Sequence, residues 1–180
     1  EKTGAEVLRT DRPDDVANAD KILLPGVGHF GNAMEALHER HLVEPLRQTV
    51  RDGKPFLGIC VGMQLLFESS EESPGVEGLG VLKGRVVRFP GGLKVPHLGW
   101  NQVMQQGASP LWSGIPDGSF YYFAHSFYTV PLDAGVVSGK TEYQVDYTSS
   151  IHSKNLFGCQ FHPEKSQKWG LKVLENFVKL

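Results

Sequence analysis

One segment of the sequence places a cysteine at a tight turn. Residues 55–67 read PFLGICVGMQLLF, an apolar run followed by Cys60, then by the small corner Val61 and Gly62. This pattern predicts a buried strand that turns sharply into a helix. A helix N-terminus presents unpaired N–H groups and the positive end of the macrodipole, so it would favour the thiolate of Cys60. A buried cysteine that acts as a small hydrophobe fits this segment equally well.

A second motif supplies a possible base. Residues 161–164 read FHPE, and Pro163 favours an extended conformation at His162, so His162 and Glu164 are expected to project together. A histidine beside a carboxylate can take the proton of a thiol while the carboxylate fixes its tautomer. An isolated HxE pattern is most often a strand-end histidine and a solvated glutamate. Its combination with the cysteine turn favours nucleophilic catalysis.

The remaining histidines and the second cysteine are predicted to have structural roles. Four histidines have no carboxylate partner at useful spacing and are interpreted as surface or packing residues: His29, His38, His41 and His152. His97 and His125 lie among small and aromatic residues, which indicates a structural or substrate-adjacent position. Cys159 lies within a strand pattern and is expected to be buried.

The elements that must position these residues alternate between strands and helices. A compact apolar strand at 21–24 runs into PGVG, Pro25 to Gly28, and a helix follows from Phe30. Ligands bind at such carboxyl ends of strands in open α/β sheets. A second helical piece at 45–50 precedes the cysteine strand. This alternation of strands and helices predicts a mostly parallel sheet with right-handed crossovers.

Later segments are rich in valine and aromatic residues, with glycine and proline turns between them. Strands are expected at 81–89, 98–104, 119–123, 127–130, 144–149 and 156–161, with a short N-terminal strand at 5–10 and a helix at 169–180. The acidic, serine-rich segment 68–74 is expected to be a solvated loop. The predicted fold is a three-layer α/β domain over residues 1–180, an open, mostly parallel sheet flanked by helices, with an antiparallel extension.

Composition excludes several functional classes. The chain has 180 residues, and its 18 Lys and Arg balance 20 Asp and Glu to a formal net charge of -2, so no global field recruits nucleic acid or a membrane. Its two cysteines are too few for a disulfide framework and lack zinc-site spacing, which favours a reducing, cytoplasmic setting. No apolar run of about 18 residues predicts a membrane span, and no leader pattern opens the chain.

The order of motifs resembles a known family. PGVG, GICVGMQ, PHLGWN, YYFAHSFY and QFHPEKS follow one another from Ile22 to the C-terminus, nearly the whole chain. This order is similar to that of the class I (triad) glutamine amidotransferases. The segments KVPHLGWN, EESPG and HPEKS are most similar to the glutaminase subunits of imidazole glycerol phosphate synthases of histidine biosynthesis.

The resemblance implies roles for individual residues. Cys60 would attack the glutamine carboxamide, His162 would act as general base and acid, and Glu164 would orient it. The backbone amide of Val61, with that of Val27 or Gly28, would stabilise the oxyanion. The residues implied to contact glutamine are Gly26, Gly58, Gln64, Ser126 and Phe127. The chemistry implied requires no metal and no organic cofactor.

The resemblance also implies a partner. Ammonia would pass to a (β/α)₈-barrel cyclase subunit in a heterodimer, with Trp100, Tyr122 and Lys165 near the interface. Two features depart from the family pattern: its N-terminal strand and helix have no counterpart before Glu1, where an upstream segment is expected to be missing, and Phe127 replaces a more usual tyrosine.

Two alternatives to this function remain open. One keeps the triad in another enzyme, such as a glutaminase subunit for vitamin B6 synthesis or a γ-glutamyl hydrolase or peptidase. The other is a catalytically silent partner-binding module. The PHLGWN and EESPG segments disfavour the first, and the intact triad disfavours the second.

Overall fold

A computed structural model describes residues 4–92 and 94–180. Within them, five α-helices and ten strands follow one another. In chain order the helices are α1 Pro13–Asn18, α2 Phe30–Glu39, α3 Val43–Arg51, α4 Val61–Gln64 and α5 Gln167–Val178. The strands are β1 Ile22–Gly26, β2 Phe56–Cys60, β3 Ser69–Ser70, β4 Gly84–Arg88, β5 His97–Gln105, β6 Ser119–His125, β7 Phe127–Pro131, β8 Val137–Glu142, β9 Asp146–Ser153 and β10 Leu156–Cys159.

The strands form one mixed sheet flanked by helices. Its main path runs β1-β2-β10-β9-β7-β4-β3, and β5 joins through β8 and pairs with β6 as a hairpin. The pairs β1–β2, β2–β10 and β3–β4 are parallel, and the other pairs are antiparallel. The predicted α/β fold with an antiparallel extension is confirmed. The sheet is mixed rather than mostly parallel as expected, because three strand pairs among the described residues are parallel and six are antiparallel.

Strand β2 lies at the centre of the parallel part. All five of its residues are buried, because β1 and β10 cover its two edges and the flanking elements cover its faces. This environment explains why FLGIC reads as a continuous apolar run rather than an alternating one. The carboxyl ends of β1, β2 and β10 therefore lie side by side, with Gly26 paired to Cys60 and Cys159 paired to Ile59.

The helices bury apolar faces. In α2 the buried residues Phe30, Met34 and Leu37 recur at helical spacing. Helix α1 packs on α3, while α5 packs on β6 and on a short 3₁₀ turn, Pro110–Trp112. The largest fully buried side chains join these elements in one core: Tyr121, Tyr147, Phe30, Phe56, Phe67, Phe123, Phe161, Met34, Leu57, Met63, Leu65 and Leu66.

Two local features differ from the sequence-based prediction. Residues 5–10 form no strand, and Val7 and Leu8 are exposed there because no neighbouring strand pairs with this segment. Strand β8 is missed from the sequence, since VSGKTE is polar and contains Gly139. A Cβ on Gly139 would lie 2.8 Å from Val103 Cγ1, so the glycine permits close packing between strands.

The acidic segment 68–74 is also more ordered than predicted. It contains β3, and Ser70 and Ser73 are buried. Ser73 Oγ accepts a hydrogen bond from the Gly31 N–H at 2.9 Å, and Glu72 Oε2 accepts one from the Phe30 N–H at 2.7 Å. Both side chains therefore satisfy backbone donors at the start of α2, which no intrahelical acceptor can reach.

No helix among the described residues is both long and apolar enough to cross a membrane.

Candidate active site

The backbone at Cys60 forms the sharp turn that the sequence predicts. Cys60 has φ 54° and ψ -113°, a conformation that a residue with a side chain rarely adopts. Strand β2 ends at Cys60 and α4 begins at Val61, but α4 is a single turn of four residues. The helix predicted after the cysteine is therefore much shorter than the apolar run suggested.

Glycines allow the turn to pack tightly. A Cβ on Gly62 would lie 2.0 Å from the Leu24 carbonyl oxygen, and a Cβ on Gly26 would lie 2.6 Å from the Gly62 nitrogen. A Cβ on Gly58 would lie 2.6 Å from the Gly62 carbonyl oxygen. Because the backbone of α4 occupies the space beside Gly26 and Gly58, these two glycines act on the site by letting β1, β2 and α4 approach closely.

A cleft of about 210 Å³ opens above the carboxyl ends of the parallel strands. It brings together residues from segments far apart in the sequence, and it includes most of the predicted site. Its lining residues are Val27, Gly28, Cys60, Val61, Gln64, Glu72, Ala124, His125, Ser126, Phe127, His162 and Lys165. Gly26, Gly58 and Glu164 lie outside this lining.

His162 and Glu164 meet as predicted, but by a different geometry. Nδ1 of His162 lies 2.9 Å from Oε1 of Glu164. Residues Pro163–Lys165 form a 3₁₀ turn rather than an extended strand, and this turn brings the carboxylate back to the ring. The backbone of His162 is held by two further contacts: its N–H donates to the Tyr122 carbonyl at 2.9 Å, and its carbonyl accepts from Ser166 Oγ at 2.6 Å.

Cys60 and His162 line the same cleft without a hydrogen bond between them in the described residues. Sγ instead accepts a hydrogen bond from Gln160 Nε2 at 3.6 Å. Because the amide is the donor, the thiol proton remains free for another acceptor. The three predicted triad residues thus converge on one region, with the thiol not yet engaged by the imidazole.

Burial raises the pKa of the Cys60 thiol to about 11, and the negative charge of Glu164 acts in the same direction. The Val61 N–H, the Gln160 amide and the positive charge of Lys165 lower this pKa, but by less. The helix start therefore favours the thiolate through the Val61 N–H, as expected, but burial outweighs this effect. A turn of four residues cannot offset the desolvation of a thiolate. The resting group is a thiol at neutral pH.

Gln64 is placed by two hydrogen bonds from its amide nitrogen. Nε2 donates to the Phe127 carbonyl at 2.9 Å and to Gln160 Oε1 at 3.0 Å. Both of its N–H groups are used, so its own carbonyl oxygen is available as an acceptor for a ligand in the cleft. Ser126 and Phe127 also line the cleft, at the junction of β6 and β7.

Two residues of the site are missed by sequence reasoning. Glu72 belongs to the acidic segment predicted to be solvated, and it lines the cleft. Gln160 is fully buried beneath Cys60. Its position two residues before His162 in an extended segment was the one available signal, because alternate residues share a face.

Trp100, Tyr122 and Lys165 form a contiguous group beside the cleft. The rings of Trp100 and Tyr122 are 6.2 Å apart, and Lys165 Nζ lies 5.8 Å from the centre of the Tyr122 ring. Trp100 is 46% exposed and Leu98 is 64% exposed, and Phe120 is exposed as well. Because residues directly opposite in an antiparallel pair share a face, these side chains form one exposed apolar face of the β5–β6 hairpin.

Cys159, His97 and His125 lie in the environments that the sequence predicts for them. Cys159 is fully buried, and both cysteines are free. His97 and His125 are buried among aromatic rings, and His125 also lines the cleft. No group of three His, Cys, Asp or Glu side chains in the described part of the chain is arranged to hold a metal ion.

The chain matches the family model of the class I glutamine amidotransferases over residues 2–180. It is 49% identical to the imidazole glycerol phosphate synthase subunit HisH of Moorella thermoacetica, covering 100% of this chain and 86% of the relative. It is 51% identical to the protein of the same description from Thermococcus kodakarensis, covering 95% and 88%.

Solved structures share its fold at lower identity. A crystal structure described as glutamine amidotransferase superposes with a TM-score of 0.76 at 20% identity, covering 98% of this chain and 89% of that chain. The PurLQS structure from Thermotoga maritima gives 0.69 at 22% identity, covering 90% and 80%. These likenesses support the α/β fold.

Proposed function

Because the chain belongs to the class I glutamine amidotransferases, and within them to the HisH subunits of imidazole glycerol phosphate synthases, we propose that it hydrolyses glutamine through Cys60, His162 and Glu164. The observation that carries this mechanism is the arrangement of the three residues. Cys60 sits at a strained turn in a cleft, His162 lines the same cleft, and Glu164 holds the His162 ring.

The reaction would begin with transfer of the thiol proton from Cys60 to His162. Sγ then attacks the carboxamide carbon of glutamine, and His162 returns the proton to the leaving nitrogen as the C–N bond breaks. Ammonia leaves and a γ-glutamyl thioester remains on Cys60. Water, activated by His162, attacks the thioester, glutamate departs, and the thiol regains its proton. Glu164 stabilises the positive imidazole in both halves of the reaction.

The oxyanion would be stabilised by backbone amides around the cleft. Val61 follows the nucleophile directly, and its N–H already interacts with Sγ. Val27 and Gly28 also line the cleft, and Gly28 has φ +95°, so a second amide can be supplied by this loop. Gly28 allows the loop to reorient when a partner binds, because a Cβ there would meet no described atom within 4 Å.

Glutamine would be held by groups placed around the nucleophile. The unused carbonyl oxygen of Gln64 and the carboxylate of Glu72 are acceptors suited to its ammonium group. Ser126 and Phe127 line the same cleft and would contribute the Ser126 hydroxyl and the Phe127 backbone. Gly26 and Gly58 contribute through the close packing of the turn.

The chain would deliver ammonia to a cyclase subunit with a (β/α)₈ barrel, as part of histidine biosynthesis in the cytoplasm. The exposed apolar face with Leu98, Trp100, Phe120 and Tyr122 supports docking there, because a contiguous apolar patch marks an interaction site. Ala124 lies on the same strand and lines the cleft, so the docking face continues into the site.

A glutaminase assay tests this function. Glutamate release should be slow for the chain alone and should rise strongly when the cyclase subunit and its ligand are added, since the resting thiol is neutral and not engaged by His162. Cys60→Ala should abolish turnover in both conditions. Full turnover without the partner would contradict the coupling, and wild-type turnover by Cys60→Ala would contradict the nucleophile assignment.

A further inference from the structure

Gln160 lies directly beneath the nucleophile. It follows β10, is fully buried, and its Nε2 lies 3.6 Å from Cys60 Sγ. Its backbone N–H donates to the Ser149 carbonyl at 2.9 Å, which ties this segment to β9. Gln160 does not line the cleft, so it is placed to act on Sγ without touching a substrate.

The direction of the Gln160 amide is fixed by Gln64. Gln64 Nε2 is a donor, so the atom of Gln160 that lies 3.0 Å from it must be the acceptor Oε1. The NH₂ end of Gln160 is therefore turned toward Sγ. Gln64 is in turn oriented by the Phe127 carbonyl, which can only accept.

A buried chain of hydrogen bonds holds that carbonyl from the other side. His125 Nδ1 lies 2.8 Å from the Phe127 carbonyl oxygen, so this nitrogen carries the ring proton. His125 Nε2 is then an acceptor for the Tyr147 hydroxyl at 3.2 Å, and the Tyr147 oxygen accepts from His97 Nδ1 at 3.1 Å. Every donor in this series meets one acceptor, with both imidazoles neutral.

We propose that Gln160 is a positioning residue for the nucleophile, donating to Cys60 Sγ a hydrogen bond whose direction is imposed by Gln64 and the Phe127 carbonyl. The inference rests on the proposed function, in which Cys60 attacks glutamine. By occupying a lone pair of Sγ, the amide leaves the thiol proton for His162. It also stabilises the negative sulfur that forms when this proton leaves.

The other charged and titratable groups near Sγ are Glu164, Lys165, His162, His125, Glu72 and Cys159. Glu164 disfavours a negative sulfur and Lys165 favours it. His162 and Glu72 line the cleft with Cys60, and Cys159 is fully buried at the end of β10. None of these groups is altered by a substitution at Gln160.

The test measures alkylation of Cys60 by iodoacetamide from about pH 7 to about pH 9, read by mass spectrometry of the Cys60 peptide. Gln160→Met keeps the length of the side chain and removes the donor. The rate of Cys60 alkylation in this variant should fall by roughly three- to tenfold at each pH, because losing a hydrogen bond to the thiolate raises the thiol pKa. The fall is limited because a more basic thiolate is also a stronger nucleophile.

Glutamine kinetics with the cyclase subunit provide a second measurement. For Gln160→Met, kcat should fall by roughly tenfold, and this fall should exceed any rise in KM. Gln160 stabilises the sulfur directly, whereas it affects substrate binding only through Gln64, which keeps its hydrogen bond to the Phe127 carbonyl. Gln160→Asn keeps a buried amide that is too short to span from Gln64 to Sγ, so it should show the same slowing.

Ser138→Ala is the matched control. It removes another buried hydrogen bond of the sheet, the 2.8 Å contact of Ser138 with Ser150, and should leave the alkylation rates of Cys60 unchanged. Alkylation of both Gln160 variants within about twofold of wild type would overturn the proposal. Wild-type turnover by Cys60→Ala would overturn the proposed function instead, so the two failures are distinguishable.

Discussion

Nδ1 of the buried His162 lies 2.9 Å from the half-exposed carboxylate of Glu164. Because a carboxylate accepts hydrogen bonds, Nδ1 carries the proton of the neutral ring, and the other ring nitrogen is left as the basic one. The same contact stabilises the ring when it becomes positive. The pair therefore fixes both the tautomer and the charged form that a base for Cys60 requires.

The first prediction concerns this contact. Glu164→Gln keeps an acceptor near Nδ1 but removes the negative charge, so kcat for glutamine should fall by roughly tenfold with little change in KM. Steady-state kinetics with the cyclase subunit measure both constants. Glu175→Gln is the control: Glu175 is a partly exposed residue of α5 that pairs with Lys172 and Lys179 and does not line the cleft, so the variant should keep the wild-type kcat. An unchanged kcat in Glu164→Gln would show that the carboxylate plays no part.

The second prediction concerns the tight turn. Gly62→Ala places a Cβ about 2.0 Å from the Leu24 carbonyl oxygen, so β1 or α4 must shift. The free energy of unfolding, measured in urea, should fall by roughly 2 kcal/mol or more. Glutaminase activity should be lost as well, because the turn that carries Cys60 moves. Gly91→Ala meets no described atom within 4 Å and should change stability by less than about 0.5 kcal/mol. Equal stability of the two variants would contradict the packing argument.

The third prediction concerns the start of α2. Ser73→Ala removes the acceptor of the Gly31 N–H at a buried position and should lower the free energy of unfolding by about 1 kcal/mol. Ser113→Ala, an exposed serine, should have no measurable effect. If Ser73→Ala is as stable as wild type, the Ser73 hydrogen bond does not stabilise the fold, and the interpretation of this segment as a solvated loop would be the better one.

The fourth prediction concerns pH. Burial lowers the pKa of His97 to about 4 and that of His125 to about 3, whereas in the unfolded chain both titrate near their usual value of about 6.5. The unfolded state therefore binds more protons below this value. The stability contributed by the neutral imidazoles is fully present above it and is lost as pH falls toward the folded pKa values.

Between about pH 7 and about pH 5.5, the free energy of unfolding should fall by about 2 kcal/mol, measured by urea titration. His97→Asn should reduce this fall by about half, while the exposed His38→Gln should leave it unchanged. A stability that does not change over this range would contradict the neutral buried imidazoles.

The sequence predicts those features of the site whose geometry is set by residues adjacent in the chain. The strand at 55–59 and the turn at Cys60 follow from an apolar run and two small residues, and both are observed. The contact between His162 and Glu164 is also predicted, although a 3₁₀ turn produces it rather than a strand. In each case a few adjacent residues determine the conformation.

Contacts between distant segments are not predictable in this way. Gln160 reaches Cys60 across a separation of 100 residues, and Glu72 reaches the start of α2 across 42. The raised pKa of Cys60 depends on how completely the fold buries the turn. The residues that follow Cys60 in the sequence do not reveal this degree of burial. Tertiary packing therefore decides features that local propensity leaves open.

The most direct test of the mechanism is to identify the covalent intermediate. The chain, with the cyclase subunit and its ligand, is mixed with glutamine, quenched in acid during turnover, and digested for mass spectrometry. We predict a γ-glutamyl adduct on Cys60, absent from Cys159 and lost in the Cys60→Ala variant. Steady release of glutamate with no adduct on Cys60, or with the adduct on Cys159, would contradict the assignment of Cys60 as the nucleophile.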